Sequence, residues 1–138
     1  MNTKLIVATV LLVIALIILM VNFVGSIYSI GFAKGESMYP TFTGCTLLFT
    51  DKTVSPLIIQ VNDIVEVDVS DQNLSVKSIA HRVVENNIEQ ELIVTRGDNN
   101  ELYPAPTSID GFFEYDKIVG KVDNYYNLPS WLCNLKGG

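Results

Sequence analysis

Three side chains in this sequence are of the types that nucleophilic hydrolysis needs: Ser37, His81 and Asp98. Ser37 sits in Gly35-Glu36-Ser37-Met38-Tyr39-Pro40-Thr41-Phe42, between a glycine and a proline. A serine hydroxyl is a weak nucleophile until a neighbouring base takes its proton. Imidazole is the usual base, because an ordinary pKa of about 6.5 leaves it unprotonated yet basic near neutral pH. His81 is the one histidine of the chain and stands in an apolar stretch, Ile79-Ala80-His81-Arg82-Val83-Val84. Asp98 follows in Gly97-Asp98-Asn99-Asn100. Each residue also has a plainer account: a loop serine, a satisfied polar side chain, and a turn former that bonds its own backbone. Residue types alone leave both accounts open.

The elements that must position these residues are mostly strands. Cys45 to Thr50 reads as a buried strand. Val61 to Val69 alternates over its later residues, with Val65, Val67 and Val69 on one face and Glu66 and Asp68 on the other, the pattern of a half-wet strand. Val76–Val84 and Ile88–Arg96 predict two more, joined through Glu85-Asn86-Asn87 as a hairpin. Pairing about Asn86 sets His81 opposite Glu91, so Asp98 reaches the histidine only through a longer loop or a bulge. Pro104 and Pro106 exclude a central strand or helix over Leu102–Gly111. Lys117 to Val122 predicts a last short strand. Strands at short spacing with Gly/Asn/Asp turns, and no amphipathic helix after the N-terminal segment, predict a small, mainly β domain.

Ahead of that domain lies Leu5–Val24, whose only polar side chains are Thr9 and Asn22. About 20 helical residues cross a hydrocarbon core of about 30 Å, so this run is long enough to span. A cleaved signal peptide has a shorter apolar core, about 7–15 residues, and a small-x-small site that Gly25-Ser26-Ile27-Tyr28 matches poorly. The division expected is a tail at 1–4, an anchor at 5–24, a linker at 25–34, a catalytic β-domain at 35–124 and a tail at 125–138. That last tail carries Tyr125, Tyr126 and Trp131, which suit either a membrane–water interface or packing on the β core. Thirteen residues separate Val24 from Ser37, a reach of at most about 45 Å, so the serine stays close to the bilayer. Lys4 and Lys34 flank the anchor and barely set its orientation.

Charge narrows the partners. All fifteen Asp/Glu lie after residue 34, against seven Lys/Arg there, and the whole chain carries a net charge of -6. Such an acidic domain is a poor nucleic-acid binder and has no attraction for anionic lipid. A lone histidine excludes a His-based zinc site, and neither metal nor cofactor is expected. Cys45 and Cys133 form no C-x-x-C; one bridge in an oxidising compartment and two free thiols are both compatible with their spacing.

Taken in order, these boxes resemble the type I signal peptidases, membrane-bound serine proteases that remove signal peptides from exported proteins. An apolar anchor precedes Gly35–Phe42, which is similar to the family's G-x-S-M-x-P-T. Asn62-Asp63-Ile64-Val65-Glu66-Val67 resembles its G-D-I-V-x-[FY] strand, and His81-Arg82-Val83-Val84, Arg96–Asn100 and Ile118–Val122 come after it. Histidine, where many bacterial members carry lysine, resembles the archaeal and endoplasmic-reticulum branch. Lys52 and Lys77 fall outside the matching boxes. A self-cleaving repressor-type peptidase, which uses Ser–Lys and has no anchor, fits less well. The chain also departs from the pattern. Gly35 stands where that branch has a serine, so the oxyanion would rely on backbone N–H groups, that of Ser37 among them. Cys45 replaces an acidic residue. Pro104 occupies the place of the second aspartate.

The resemblance implies that Ser37 attacks a preprotein carbonyl with His81 as base, and that Asp98 orients His81 or braces the site, with Asp110 in reserve. Substrates would be secretory preproteins with small residues at the first and third positions before the cut. The protein would be single-pass, with its catalytic domain on the extracytoplasmic or lumenal side, and a need for accessory subunits is not legible. The alternative is a degenerate, membrane-tethered β-module that binds signal peptides or a partner subunit without cleaving.

Overall fold

The computed structural model describes residues 2–72, 74–100 and 110–134. Helix α1, Thr3–Ile27, covers the apolar run and extends past it on both sides. Its 25 residues measure about 38 Å, so it is long and apolar enough to cross a membrane. Its polar side chains are satisfied within the helix: Thr9 Oγ1 donates to Leu5 O at 2.9 Å and Asn22 Nδ2 to Ile18 O at 2.7 Å. That is what a low-dielectric surrounding requires of them.

The rest is mainly β. Seven strands, β1 Tyr28–Gly35, β2 Gly44–Asp51, β3 Ile64–Asp68, β4 Ser78–Asn87, β5 Leu92–Arg96, β6 Gly111–Glu114 and β7 Ile118–Asn127, form one sheet in the order β1-β2-β7-β3-β4-β5-β6. Every pairing is antiparallel. A short helix, α2, Ser130–Asn134, comes after β7. Both faces of β3 are used. Val65, Val67 and Val69 enter one core with Val83, Ile93 and Phe113; Ile64 enters a second with Met38, Phe42, Leu48 and Val122. The face expected to be wet is therefore partly covered, and Glu66 is half-buried rather than fully solvated.

Residues 25–34 are not a linker. The helix runs to Ile27 and β1 begins at Tyr28. Tyr28, Ile30 and Phe32 alternate with Ser29, Gly31 and Ala33, a period-2 pattern that the two glycines and an exposed apolar face disguise. The join is held by Lys52, whose N–H donates to Ile27 O at 2.8 Å and whose Nζ donates to Gly25 O. Strand β6 was also not expected; of the segment 102–111 that its prolines were expected to keep out of a central strand or helix, 102–109 lie outside the described residues. The tail at 125–138 is not a separate segment either: β7 continues through Asn127, and α2 packs Cys133 against the sheet. Cys133 and Cys45 form a disulfide, with 5.8 Å between their Cα atoms.

The β4–β5 hairpin turns at residues 88–91 rather than at Asn86. Its register shifts between Val83 and Glu85, and Arg82 pairs with Arg96. The bulge that the simple pairing lacked is present, and it carries Gly97 and Asp98 to the end of β5 beside the His81–Arg82 step.

Candidate active site

Ser37 lies in the loop that joins β1 to β2. Gly35 pairs with Gly44 at the mouth of this hairpin, and both have positive φ, 109° and 83°, a region that only glycine enters without cost. Residues 36–43 are thus presented as one tight loop. Met38 and Phe42 plug it into the second core. Asn127 of β7 fastens its far side, donating from Nδ2 to Thr41 O at 3.0 Å and accepting at Oδ1 from Thr43 N–H and Thr46 Oγ1.

His81 is on β4, 1% exposed, and opposite Val65 of β3. Its Nε2 is 3.0 Å from Ser37 Oγ, and its Nδ1 is 2.9 Å from Asp110 Oδ1. With a carboxylate, which accepts hydrogen bonds when ionised, set against Nδ1, a proton on Nδ1 leaves the Nε2 lone pair towards the serine hydroxyl. This is the tautomer a general base needs. Asp110 is held in turn by Gly97 N–H, at 2.9 Å from Oδ1, and by Asn100 Nδ2, which donates to Oδ2.

Asp98 is bonded to Arg82 and Thr41, and the charge of His81 acts on it only as the smallest of the influences that lower its pKa. Arg82 grips it with two parallel bonds, Nε to Oδ1 at 2.7 Å and Nη2 to Oδ2 at 2.8 Å, and Thr41 Oγ1 donates to Oδ2. Hydrogen bonding from Arg82 holds the Asp98 carboxyl below the usual carboxylate range; burial opposes this, and the Thr41 hydroxyl adds to it. Of the two roles expected for Asp98, orienting the histidine belongs to Asp110, and bracing belongs to Asp98. The physical reason is the neighbour on β4: successive strand residues point to opposite faces, so Arg82 meets Asp98 on one side while His81 meets Asp110 on the other.

The loop Gly97–Asn100 connects these groups. Asn99 N–H donates to Ser37 O at 2.7 Å, Asp98 reaches Thr41, and Gly97 holds Asp110. A Cβ on Gly97 would lie 2.5 Å from Ser37 O, so this position needs glycine for close approach. Thr41, Arg82 and Asn100 stand inside the boxes that carry the resemblance, but nothing in the sequence says what each of them holds, and Asn127 carries no signal at all. The lysines outside the boxes are elsewhere: Lys52 is bonded to the end of α1, and Lys77 is exposed. Among the described residues, no three His, Cys, Asp or Glu side chains are grouped as metal ligands would be.

A cleft of about 430 Å³ runs from Ser37 and His81 between β1 and the start of β4. Ala33, Met38, Phe42, Leu48 and Ala80 make much of its wall. β1 is an outer strand, and β5 joins β4 only from Arg82 onward. Among the described residues, 78–81 therefore have no strand on the side away from β3 and can offer backbone to the cleft, as an extended peptide requires. A nucleophile, a base and an orienting carboxylate in line beside such a cleft can carry out acyl transfer. No family model matches the chain, and no curated protein matches it.

Proposed function

We propose that this protein is a membrane-bound serine endopeptidase that cleaves N-terminal signal peptides from secretory preproteins. The observation that carries the proposal is His81, buried between Ser37 Oγ at 3.0 Å and Asp110 Oδ1 at 2.9 Å. Ser37 Oγ attacks the scissile carbonyl while His81 Nε2 takes its proton. Asp110 steadies the imidazolium that forms. The tetrahedral intermediate collapses as His81 passes the proton to the leaving amine, which leaves an acyl-enzyme on Ser37. Water, deprotonated by the same imidazole, then releases the acid. Backbone N–H groups of the loop, that of Ser37 included, would receive the oxyanion.

Support for preproteins as substrates comes from placement. β1 begins one residue after α1 ends and runs to the Ser37 loop, so the cleft is fixed within about 30 Å of the helix end. A cleavage site emerging from the bilayer would pass at that height. The Cys45–Cys133 bridge favours an oxidising compartment, hence a catalytic domain on the extracytoplasmic or lumenal side. Two features had favoured a degenerate binding module, the missing second aspartate and Cys45. Each now has another account, in Asp110 and in the disulfide.

The test is cleavage of a preprotein by the full chain in detergent. Wild type should release the signal peptide, and Ser37→Ala and His81→Ala should each lose activity by about 10³-fold or more. Equal behaviour of wild type and Ser37→Ala would remove the peptidase proposal.

A further inference from the structure

The cleft leading from Ser37 has mostly apolar walls, and Glu66 of β3 is the half-buried carboxylate among them. Glu66 lies opposite Ala80, the residue before His81. Its Oε1 accepts from Ser78 Oγ at 2.8 Å. Among the described residues it forms no ion pair with Lys, Arg or His; the four pairs present join other residues. Lys34 and Glu36 also line the cleft, but both are exposed, and they carry opposite signs on the segment entering the serine loop. The interior thus carries one negative charge. A half-buried carboxylate beside apolar walls, with a single hydroxyl donor, has acceptor capacity left over.

We propose that Glu66, supported by Ser78, is a specificity-determining group that selects a cationic side chain, lysine or arginine, on the substrate. The proposal rests on the peptidase reading for the nature of the ligand. An extended peptide beside β4 advances about 3.3 Å per residue. Ala80 and Ser78 lie one and three residues from His81, so Glu66 meets a side chain two to four positions before the cut. Small apolar residues are what the signal-peptidase resemblance implies for the first and third positions before the cut. Glu66 would add a charged preference that the resemblance does not contain.

The experiment measures binding and turnover in parallel, on the full chain in detergent. Labelled peptides share one sequence and carry Lys, Ala or Glu at the second, third or fourth position before the cut. Binding is read with the Ser37→Ala protein, so that no peptide is consumed. The lysine peptide should bind about tenfold tighter than the glutamate peptide at one of these positions, as a charge-assisted hydrogen bond allows. Glu66→Gln, which keeps an acceptor for Ser78, should erase the preference, and Glu66→Lys should invert it. Equal binding of all three peptides at every position, no binding at all, or a preference that survives in Glu66→Gln overturns the proposal. The last outcome would reflect only the acidic net charge of the domain. Turnover by the protein with Ser37 intact separates the two ideas. Preference without turnover sinks the peptidase reading and leaves the subsite, whereas turnover without preference sinks the subsite alone.

Discussion

At the scale of single residues, the two aspartates beside the histidine divide the work, and that division can be measured. Asp110 touches His81, and Asp98 touches Arg82. If the peptidase proposal holds, Asp110→Asn should lower kcat by about 10²–10⁴-fold, because an amide no longer favours the Nδ1–H tautomer or balances the imidazolium. Asp98→Asn should lower stability more than it lowers the chemical step, by about 2 kcal/mol for a charge-assisted pair. The acid limb of stability gives a second signature. The folded-state pKa of Asp98 is held down by Arg82, so its contribution is fully present above the unfolded-state value, about 3.9. It is lost as pH falls from there through the lower folded-state value. Urea unfolding of wild type and Asp98→Asn from pH 7 down to pH 3 should show the gap between them closing in acid. A gap that stays constant to the lowest pH would refute this coupling. Ser37 and His81 were legible in the sequence because the boxes that hold them resemble a known family in their order; residue type alone left both open. Asp110 was only a reserve, since it lies 13 positions from Gly97 and 10 from Asn100, the loop residues that hold it.

Elements explain why these side chains meet at all. The serine loop is the turn of the β1–β2 hairpin, closed by two glycines at positive φ. The loop Gly97–Asn100 leaves β5 just past the bulged β4–β5 pairing and lies against it. Gly97 is the point of closest approach. Gly97→Ala should therefore push the loop from Ser37 O and cost about 1–3 kcal/mol, as overpacking does. It should also weaken activity, although no proposed catalytic side chain is altered. Thermal unfolding beside a kinetic assay checks this, and unchanged values of both would show that the loop yields freely. Strand existence was largely readable from apolar alternation, as in Val65, Val67 and Val69. Strand β1 was not, because small residues fill one of its faces and exposed apolar side chains the other. The bulge was not readable either, since a register shift is a property of two strands and not of one.

For the molecule as a whole, one covalent tie closes the domain. Cys45 and Cys133 are 88 residues apart, and the bridge joins α2 to β2, the strand that leaves the serine loop. Replacing both with serine should lower stability by about 2–4 kcal/mol, since the unfolded chain regains the freedom of a long loop. A urea midpoint unmoved by the double variant would mean that the bridge adds nothing to the stability of the fold. α1, by contrast, is attached to the sheet mainly at its last turn and buries none of its residues, which is how a helix solvated by lipid would be arranged. By itself the sequence determined the apolar span, the mainly β character of the domain after that span, and the serine and histidine as the pair to test. These are local properties, written in hydropathy, period and residue type. Only the tertiary structure decided which aspartate meets the histidine, that the two cysteines are bonded, and that Glu66 points into the cleft. Each of those depends on how strands far apart in the chain are brought into register, and hydrogen bonds of that kind leave no trace in the spacing of residues along it.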